Sequence, residues 1–139
     1  MSVTRQATCK ERWPGEKDST IKTLRQLWQL YQKDSEASDP DLGRFDEYGL
    51  SFDYVAPSTF NGQTRGYFRY QLSWGGPSDE FRFYTDENLD PYRVEYWFLD
   101  WFDGHGRKMV GKDEALLLEI WAGYFSEFAR EKMHEAQDG

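Results

Sequence analysis

Four side chains that can bind metal ions or transfer protons lie close together in the sequence. They stand in the aromatic stretch YRVEYWFLDWFDGHG and are Glu95, Asp100, Asp103 and His105. Carboxylates and an imidazole in one pocket could exchange protons or coordinate a metal. The spacing D-x-x-D-x-H matches no metal motif, and the alternating oxygen ligands of a calcium loop are absent. We therefore interpret residues 103–106 as a polar, glycine-rich connection from a strand to a helix, and predict no metal and no cofactor.

Other kinds of catalysis have still less support. Glu95 and Asp53 could form the carboxylate pair of a glycoside hydrolase, but a strand carboxylate opposite an apolar face usually lies on the solvated side. Cys9 has no histidine positioned near it in the sequence, and no G-x-S-x-G turn is present to hold a nucleophilic serine. The glycines of residues 74–77 lack the Lys-Ser/Thr pair of a nucleotide-binding loop. We expect a protein that is not an enzyme.

The composition is that of one aromatic-rich, acidic domain. The chain has 139 residues, 18% aromatic residues, a formal net charge of −8 and a single cysteine. Its length is typical of one domain that folds without a metal or a disulfide. It shows neither a signal peptide nor an apolar run long enough to span a membrane. These features favour a reducing compartment, and we expect the cytoplasm.

The negative charge is concentrated in the middle of the chain. Residues 34–103 contain fifteen Asp and Glu against five Arg, a balance of −10, whereas residues 1–33 carry a balance of +4. Such a field repels phosphates and attracts basic surfaces. We therefore expect a protein partner with a basic surface, no direct contact with nucleic acid and no contact with a membrane.

The first half of the chain is predicted to contain an arm, a helix and an acidic loop. Residues 1–15 lack periodicity and read as a loosely ordered arm. Apolar residues recur at steps of three and four over residues 19–33, which predicts an amphipathic helix. Residues 34–49 contain many acids, a proline and a glycine, and are predicted to form a loop.

Four predicted strands follow. Three alternate between apolar and polar residues, which is typical of half-buried strands, whereas the fourth has apolar residues on both faces, which suggests a strand covered at least partly on both sides. The four segments are YGLSFDYV, residues 66–74, residues 80–85 and residues 92–102. Arginines on their polar faces are expected to pair with acids across strands. Residues 112–135 predict a second helix. The fold class is thus α+β: a single domain, 1–139, with an N-terminal helix, a four-stranded antiparallel meander and a C-terminal helix.

The acids and neighbouring tyrosines are the predicted binding residues. If loops at one end of the sheet gather the acids, they form a negative ridge that occupies a basic groove, with rings as anchors. The predicted set is Asp39, Asp41, Asp46, Glu47, Tyr48, Asp79, Glu80, Tyr84, Asp86, Glu87, Asp90 and Tyr92. The alternative is that net charge only keeps the protein soluble.

In general character the chain is similar to two classes of small acidic proteins. One comprises the inhibitors that include antirestriction and anti-CRISPR proteins, which block nucleic-acid-binding complexes. The other comprises the dimeric secretion chaperones, which bind a protein client. The similarity lies in size, charge and α+β composition, and it assigns no residue. The first class is the function we expect, the second is the alternative, and a metal- or carboxylate-dependent enzyme ranks below both.

Overall fold

The computed structural model describes residues 7–138, so residues 1–6 of the predicted arm lie outside the described part. The elements, in chain order, are α1 Cys9–Lys33, α2 Phe45–Tyr48, β1 Ser51–Val55, β2 Tyr67–Ser73, β3 Ser78–Thr85, β4 Pro91–Asp100, β5 Asp103–Lys108, α3 Gly111–Ile120, a π-helical segment Trp121–Phe125 and α4 Ser126–Asp138. The predicted α+β architecture, with a helix before and a helix after an antiparallel sheet, is confirmed.

The strands form one antiparallel meander in the order β1-β2-β3-β4-β5. The prediction of four strands is short by one, because the segment expected to connect strand to helix is β5. Its sequence DGHGRK contains no apolar residue, so no hydrophobic pattern marks it. Its pairing with β4, from Glu95↔Lys108 to Asp100↔Asp103, makes it an edge strand.

Helix α1 begins at Cys9, not at residue 19 as predicted. The Thr8 hydroxyl accepts a hydrogen bond from the Glu11 N–H at 3.2 Å, and the Glu11 carboxylate accepts one from the Thr8 N–H. This reciprocal pair is a capping box, which satisfies two N–H groups that the first turn would otherwise leave without partners. The helix is therefore 25 residues long.

The stretch Trp13-Pro14-Gly15 lies inside α1 instead of forming a turn. Pro14 lacks the N–H of an internal helical bond, a loss of about 3 kcal/mol in a helix interior. Burial of Trp13, together with the 2.8 Å hydrogen bond from its indole N–H to the Tyr96 carbonyl, offsets this loss at least in part. The prediction of an arm over residues 1–15 is therefore wrong from Cys9 onward.

The helices cover one face of the sheet, and large rings fill the layer between. The ring centre of Trp121 lies 5.1 Å from that of Phe83 and 5.2 Å from that of Phe68. One turn further on, Phe125 lies 4.7 Å from Tyr70. Rings of this size bury the most apolar area per residue, so this layer is the core that joins helices and sheet into one domain.

The opposite face of the sheet is not covered by a helix. It carries three ion pairs: Arg69–Asp53 at 2.7 Å, Arg82–Glu80 at 2.8 Å and Arg93–Glu95 at 2.7 Å. The first joins neighbouring strands, as predicted, whereas the other two join residues two positions apart in one strand. We call this surface the open face.

Tyrosines withdrawn from water make the fold sensitive to alkaline pH. Burial raises the pKa of Tyr70 and Tyr96, and burial together with the Glu95 carboxylate raises that of Tyr84 to about 12. An unfolded tyrosine ionises near pH 10. The stability these groups contribute is therefore complete below about pH 10 and is lost as pH rises toward the folded pKa, by about 1.4 kcal/mol per pH unit for each group.

We expect the urea midpoint to fall between about pH 10 and pH 12. Circular dichroism at a series of pH values measures it. The Tyr84→Phe variant should show a shallower fall, because one of the groups that ionises only in the unfolded chain is gone. A midpoint that stays level above pH 10 would contradict the burial of these hydroxyls.

Candidate functional site

Three exposed aromatic rings lie at one end of the sheet, on the turns that follow β2 and β4. Trp74 is 78% exposed, Trp101 is 86% exposed, and Phe102 is fully exposed. The turns are neighbours, since Nε1 of Trp101 lies 4.0 Å from the position that a Cβ on Gly76 would take. We call Trp74, Trp101 and Phe102 the aromatic end. The sequence pattern assigns all three to strands, but β2 and β4 end before them.

The turn between β4 and β5 holds Trp101 in an unfavourable backbone conformation. Only Trp101 and Phe102 separate the paired residues Asp100 and Asp103. The φ angle of Trp101 is +57°, which bulky side chains rarely adopt and which Gly, Asn or Asp supply in tight hairpins. Such a conformation costs about 1–3 kcal/mol. Because both rings are exposed, burial on folding does not account for them, and this combination is typical of residues retained for binding.

The base of this turn is fixed to the start of α1. Asp100 accepts a hydrogen bond from Nη1 of Arg12 at 2.9 Å, and Asp103 accepts one from the Cys9 N–H at 2.8 Å. The hydrogen bond from Cys9 lowers the pKa of the Asp103 carboxyl. The rings are thus presented from an anchored backbone, and a preorganised surface loses less entropy on binding.

The segment between α1 and β1 is bonded to α1 through Asp39 and Gln26 at 3.2 Å, and only its last residues reach the same end of the sheet. It is the predicted acidic loop, interrupted by the single turn of α2, and we call residues 34–47 the acidic loop. The chain then enters the sheet at Leu50, whose N–H donates to the Gln71 carbonyl near the end of β2 at 2.8 Å. Burial, and the charge of Asp79 at the start of β3, raise the pKa of Tyr48. Tyr48 is half-buried and is not the fully exposed anchor that the sequence predicts.

Not every acid of this loop is available to a partner. Asp39 accepts hydrogen bonds from two backbone N–H groups of its own turn, at 2.8 Å and 3.0 Å. Asp46 pairs with Arg44 at 3.0 Å. Asp34 accepts a hydrogen bond from the Glu36 N–H at 3.0 Å. The exposed acids that remain outside these contacts are Glu36, Asp41 and Glu47.

The acids of the turn between β3 and β4 lie at the opposite end of the sheet. They are Asp86, Glu87 and Asp90, and Tyr84 and Tyr92 stand beside them in sequence. The eight residues of β3 separate this turn from the acidic loop, roughly 27 Å at about 3.4 Å per residue. A single acidic ridge is therefore not formed, because the predicted residues divide between two ends of the sheet.

Two predicted binding acids, Asp79 and Glu80, are engaged within the fold, Glu80 buried and Asp79 half-buried. Glu80 is only 3% exposed and pairs with Arg82 at 2.8 Å. Asp79 faces the helices, where its carboxylate accepts hydrogen bonds from the Tyr96 hydroxyl at 2.7 Å and the Thr20 hydroxyl at 3.4 Å. Glu80 is therefore not the surface residue that was expected, because it is buried beside Arg82, and Asp79 is engaged by hydroxyl donors that are distant in sequence.

The four residues considered first for catalysis do not converge. Glu95 pairs with Lys108 on the open face, whereas His105 pairs with Phe98 on the helix-covered face. Asp100 and Asp103 hold the aromatic turn, as described above. Among residues 7–138 there is no group of three or more His, Cys, Asp or Glu side chains that could hold a metal ion.

A cleft of about 510 Å³ lies on the open face, beneath the loop between β1 and β2. At its base Arg82 lies over the Trp97 ring, 4.2 Å from the ring centre. Glu95 accepts hydrogen bonds from the Trp97 indole at 2.9 Å and from Arg93 at 2.7 Å. Burial raises the pKa of Glu95, but these hydrogen bonds outweigh burial and lower it overall, so the carboxyl is an anion at neutral pH. We call this site the open-face cleft.

Sequence reasoning missed the open-face cleft because it treats the polar side of a strand as solvated. A signal was present. Arginines and large rings share the polar positions of three consecutive strands, namely Tyr67, Arg69, Arg82, Tyr84, Arg93 and Trp97. A solvated face is usually filled by small and charged residues, because large rings gain from burial.

Gly106 lets the Trp97 ring lie flat across the edge of the sheet. The two residues pair directly, and a Cβ at position 106 would lie 2.0 Å from Cε2 of Trp97. We expect Gly106→Ala to lower the free energy of unfolding by roughly 1–3 kcal/mol, because the ring has to leave its place under Arg82. Gly15→Ala, with nothing within 4 Å of the new Cβ, should instead raise it by roughly 0.5–1 kcal/mol. Urea unfolding measures both, and equal responses would contradict this packing.

Fold and surfaces together define a class, an α+β protein with a five-stranded antiparallel meander that helices cover on one face. No family model, curated protein or solved structure matches the chain. Within the described residues, no helix is both long and apolar enough to cross a membrane. The features that bear on function are therefore the aromatic end, the acidic loop and the open-face cleft.

Proposed function

We propose that the chain is a protein-binding domain of the inhibitor type, which occupies a basic surface on a nucleic-acid-binding complex. The aromatic end supplies the anchors, and the acidic loop supplies negative charge. The observation that carries the proposal is the exposed Trp101 at a positive φ on a fixed two-residue turn.

Exposed tryptophans are the strongest anchors that a small protein can present. Trp residues are enriched among the side chains that dominate binding energy, since each buries a large rigid surface when it enters a pocket. Trp74 and Trp101 stand on adjacent turns, and Phe102 extends the same patch. The partner should therefore offer an apolar pocket of ring size.

The charge of the acidic loop indicates what surrounds that pocket. Glu36, Asp41 and Glu47 are exposed, and the whole chain has a net charge of −8. Negative charge of this kind steers association toward Lys- and Arg-rich surfaces and fixes orientation. Grooves that hold nucleic-acid phosphates are such surfaces. This supports an inhibitor of the class that includes antirestriction and anti-CRISPR proteins.

We propose the cytoplasm as the location. Cys9 is the one cysteine of the chain and is buried at the start of α1 as a free thiol. Reduced thiols persist in reducing compartments, which favours the cytoplasm over an oxidising space.

Affinity capture from host lysate, with and without nuclease, tests the proposal. The bait is the full chain, compared with the variant Trp101→Gly/Phe102→Ser. We expect one defined complex that is retained after nuclease, is lost from the variant and dissociates as salt rises. Capture that depends on nucleic acid, or that is equal for both baits, would contradict the proposal.

Molecular mass in solution distinguishes the inhibitor from the alternative, a secretion-type chaperone. A secretion-type chaperone is expected to be a dimer whose client binding resists salt, because an apolar groove carries it. Size-exclusion chromatography with light scattering, combined with a salt series on the captured complex, separates the two. A monomer with salt-sensitive binding supports the inhibitor, and a dimer with salt-resistant binding supports the chaperone.

A further inference from the structure

We propose that the open-face cleft binds a small organic anion, namely a planar ring that carries a phosphate or carboxylate group. This site is separate from the aromatic end, and the proposal stands independently of the proposed function. It rests on the volume of the cleft, on the local excess of positive charge and on the guanidinium groups and rings at its mouth.

Size and charge agree with a small anionic ligand. The volume of about 510 Å³ falls within the range of roughly 300–1,000 Å³ that is typical of small-molecule sites. Three arginines line the cleft against one carboxylate, Glu95. This local excess of positive charge is found in a chain whose net charge is −8, so it is not a consequence of overall composition.

Two of the arginines have guanidinium N–H groups that are not used in hydrogen bonds among the described residues. Arg93 uses Nε to bond Glu95 at 2.7 Å, and Arg65 uses one Nη to bond the Tyr92 hydroxyl at 3.3 Å. In the part of the chain that the structure describes, no hydrogen bond occupies the remaining guanidinium N–H groups of either side chain. A guanidinium presents parallel N–H groups that match two oxygens of a phosphate or a carboxylate, so these arginines are suited to bind the anionic group.

The third arginine positions the site. Arg82 lies between two rings, 4.2 Å from the centre of Trp97 and 4.8 Å from that of Tyr67, and it is tied to Glu80. Glu95 likewise holds Arg93 in place through Nε. Because these contacts within the chain already hold the two arginine side chains, little side-chain entropy remains to be lost on binding.

Rings at the mouth of the cleft are suited to the planar part of the ligand. Phe60 lines the cleft and is 51% exposed. Tyr92, which is 52% exposed, lies outside the lining but accepts a hydrogen bond from Arg65 at 3.3 Å. Exposed rings offer offset stacking to an aromatic ligand, a contribution beyond area burial. A ring that bears an oxyanion satisfies both the guanidinium groups and these rings.

Titration of the full chain with four probes tests the proposal. The probes are phenyl phosphate, benzoate, inorganic phosphate and phenol. Binding is monitored by two-dimensional ¹H–¹⁵N NMR as a shift of the Trp97 indole N–H signal. We expect saturable binding of phenyl phosphate or benzoate, at least about tenfold tighter than inorganic phosphate or phenol, since each of those lacks one half of the ligand. Which of the first two binds more tightly identifies the oxyanion.

Variants show whether the cleft is responsible. Arg65→Gln and Arg93→Gln should each lower about tenfold the affinity for the probe that binds. Arg130→Gln, an equal loss of charge on exposed α4, should leave binding unchanged, and Arg65 is itself exposed, so its replacement does not disturb the core. Absence of saturable binding for all four probes at millimolar concentration would overturn the proposal. So would binding that survives both cleft substitutions.

Discussion

Replacing Trp101 by Gly and Phe102 by Ser is expected to weaken binding of the captured partner at least about 30-fold while the fold stays intact. Loss of central ring anchors removes about 2 kcal/mol or more of binding free energy, which corresponds to that factor. The free energy of unfolding should stay constant or rise by about 1 kcal/mol, because glycine accepts the φ of +57° without strain. Titration calorimetry and urea unfolding measure the two quantities.

Phe60→Ser is the matched control for this variant. Phe60 is also an exposed ring, 51% accessible, but it lies in the loop between β1 and β2, which joins the opposite end of the sheet. Phe60→Ser should leave the affinity for the partner unchanged and lower only the affinity of the open-face cleft for a probe that carries a ring. Unchanged partner binding by the turn variant would contradict the role of the aromatic end. A loss of stability would show that the turn rings belong to the fold.

The alternation of apolar and polar residues predicted the sheet because helices cover only one of its two faces. Residues such as Phe81 and Phe83 point to the helices, and the arginines between and beside them point away. In an antiparallel sheet this arrangement leaves a period of two in the sequence. The same logic fails for β5, whose pairing depends on β4 and on the room that Gly106 leaves for Trp97, which is information from outside the segment.

Local signals conflicted at the start of α1. Trp13-Pro14-Gly15 indicates a turn when read alone. The capping box of Thr8 and Glu11 and the burial of Trp13 favour a helix, and burial depends on the sheet that the chain forms later. Tertiary packing thus overrides a local preference, as it often does for short breakers.

The candidate site was harder to predict than the fold because a count of acids does not tell which acids are already engaged. Asp53 is bonded by Arg69, and Glu80 by Arg82. Both arginines lie in other parts of the pattern that were expected to face solvent. What remains exposed is decided by burial and by ion pairs within and between strands, and a one-dimensional charge profile does not show which acids are engaged in this way.

The exposure of the aromatic end was not predicted either, because it too depends on contacts between distant parts of the chain. In the run YWFLDWFD rings occupy both faces of the predicted strand, so Trp101 and Phe102 do not differ in pattern from Trp97 and Phe98. Nothing in the sequence therefore says that the strand ends before these two rings or that they remain in water. Exposure follows from the anchoring of Asp100 and Asp103 to α1, which only the fold reveals.

Asp79→Ala is expected to lower the free energy of unfolding by about 3–5 kcal/mol, the largest effect on stability predicted for a polar residue of this chain. The carboxylate accepts from the hydroxyls of Tyr96, Thr20 and Ser73. Tyr96 is fully buried, so its hydroxyl would lose its acceptor away from water, at a cost of about 1–3 kcal/mol. The lost bonds to Thr20 and Ser73 add about 1 kcal/mol each. Urea unfolding measures the change.

Three variants separate this structural role from the surface role that the sequence suggested. Asp79→Asn keeps an acceptor oxygen and should recover part of the loss. Tyr96→Phe in the Asp79→Ala background should restore stability relative to the single variant, because no orphan hydroxyl remains, and that non-additivity is the signature of a buried network. Asp41→Ala, at an exposed acid, should change stability by less than about 0.5 kcal/mol. If Asp79→Ala behaves like Asp41→Ala, the carboxylate faces water, and the division of the acids into buried and exposed sets fails.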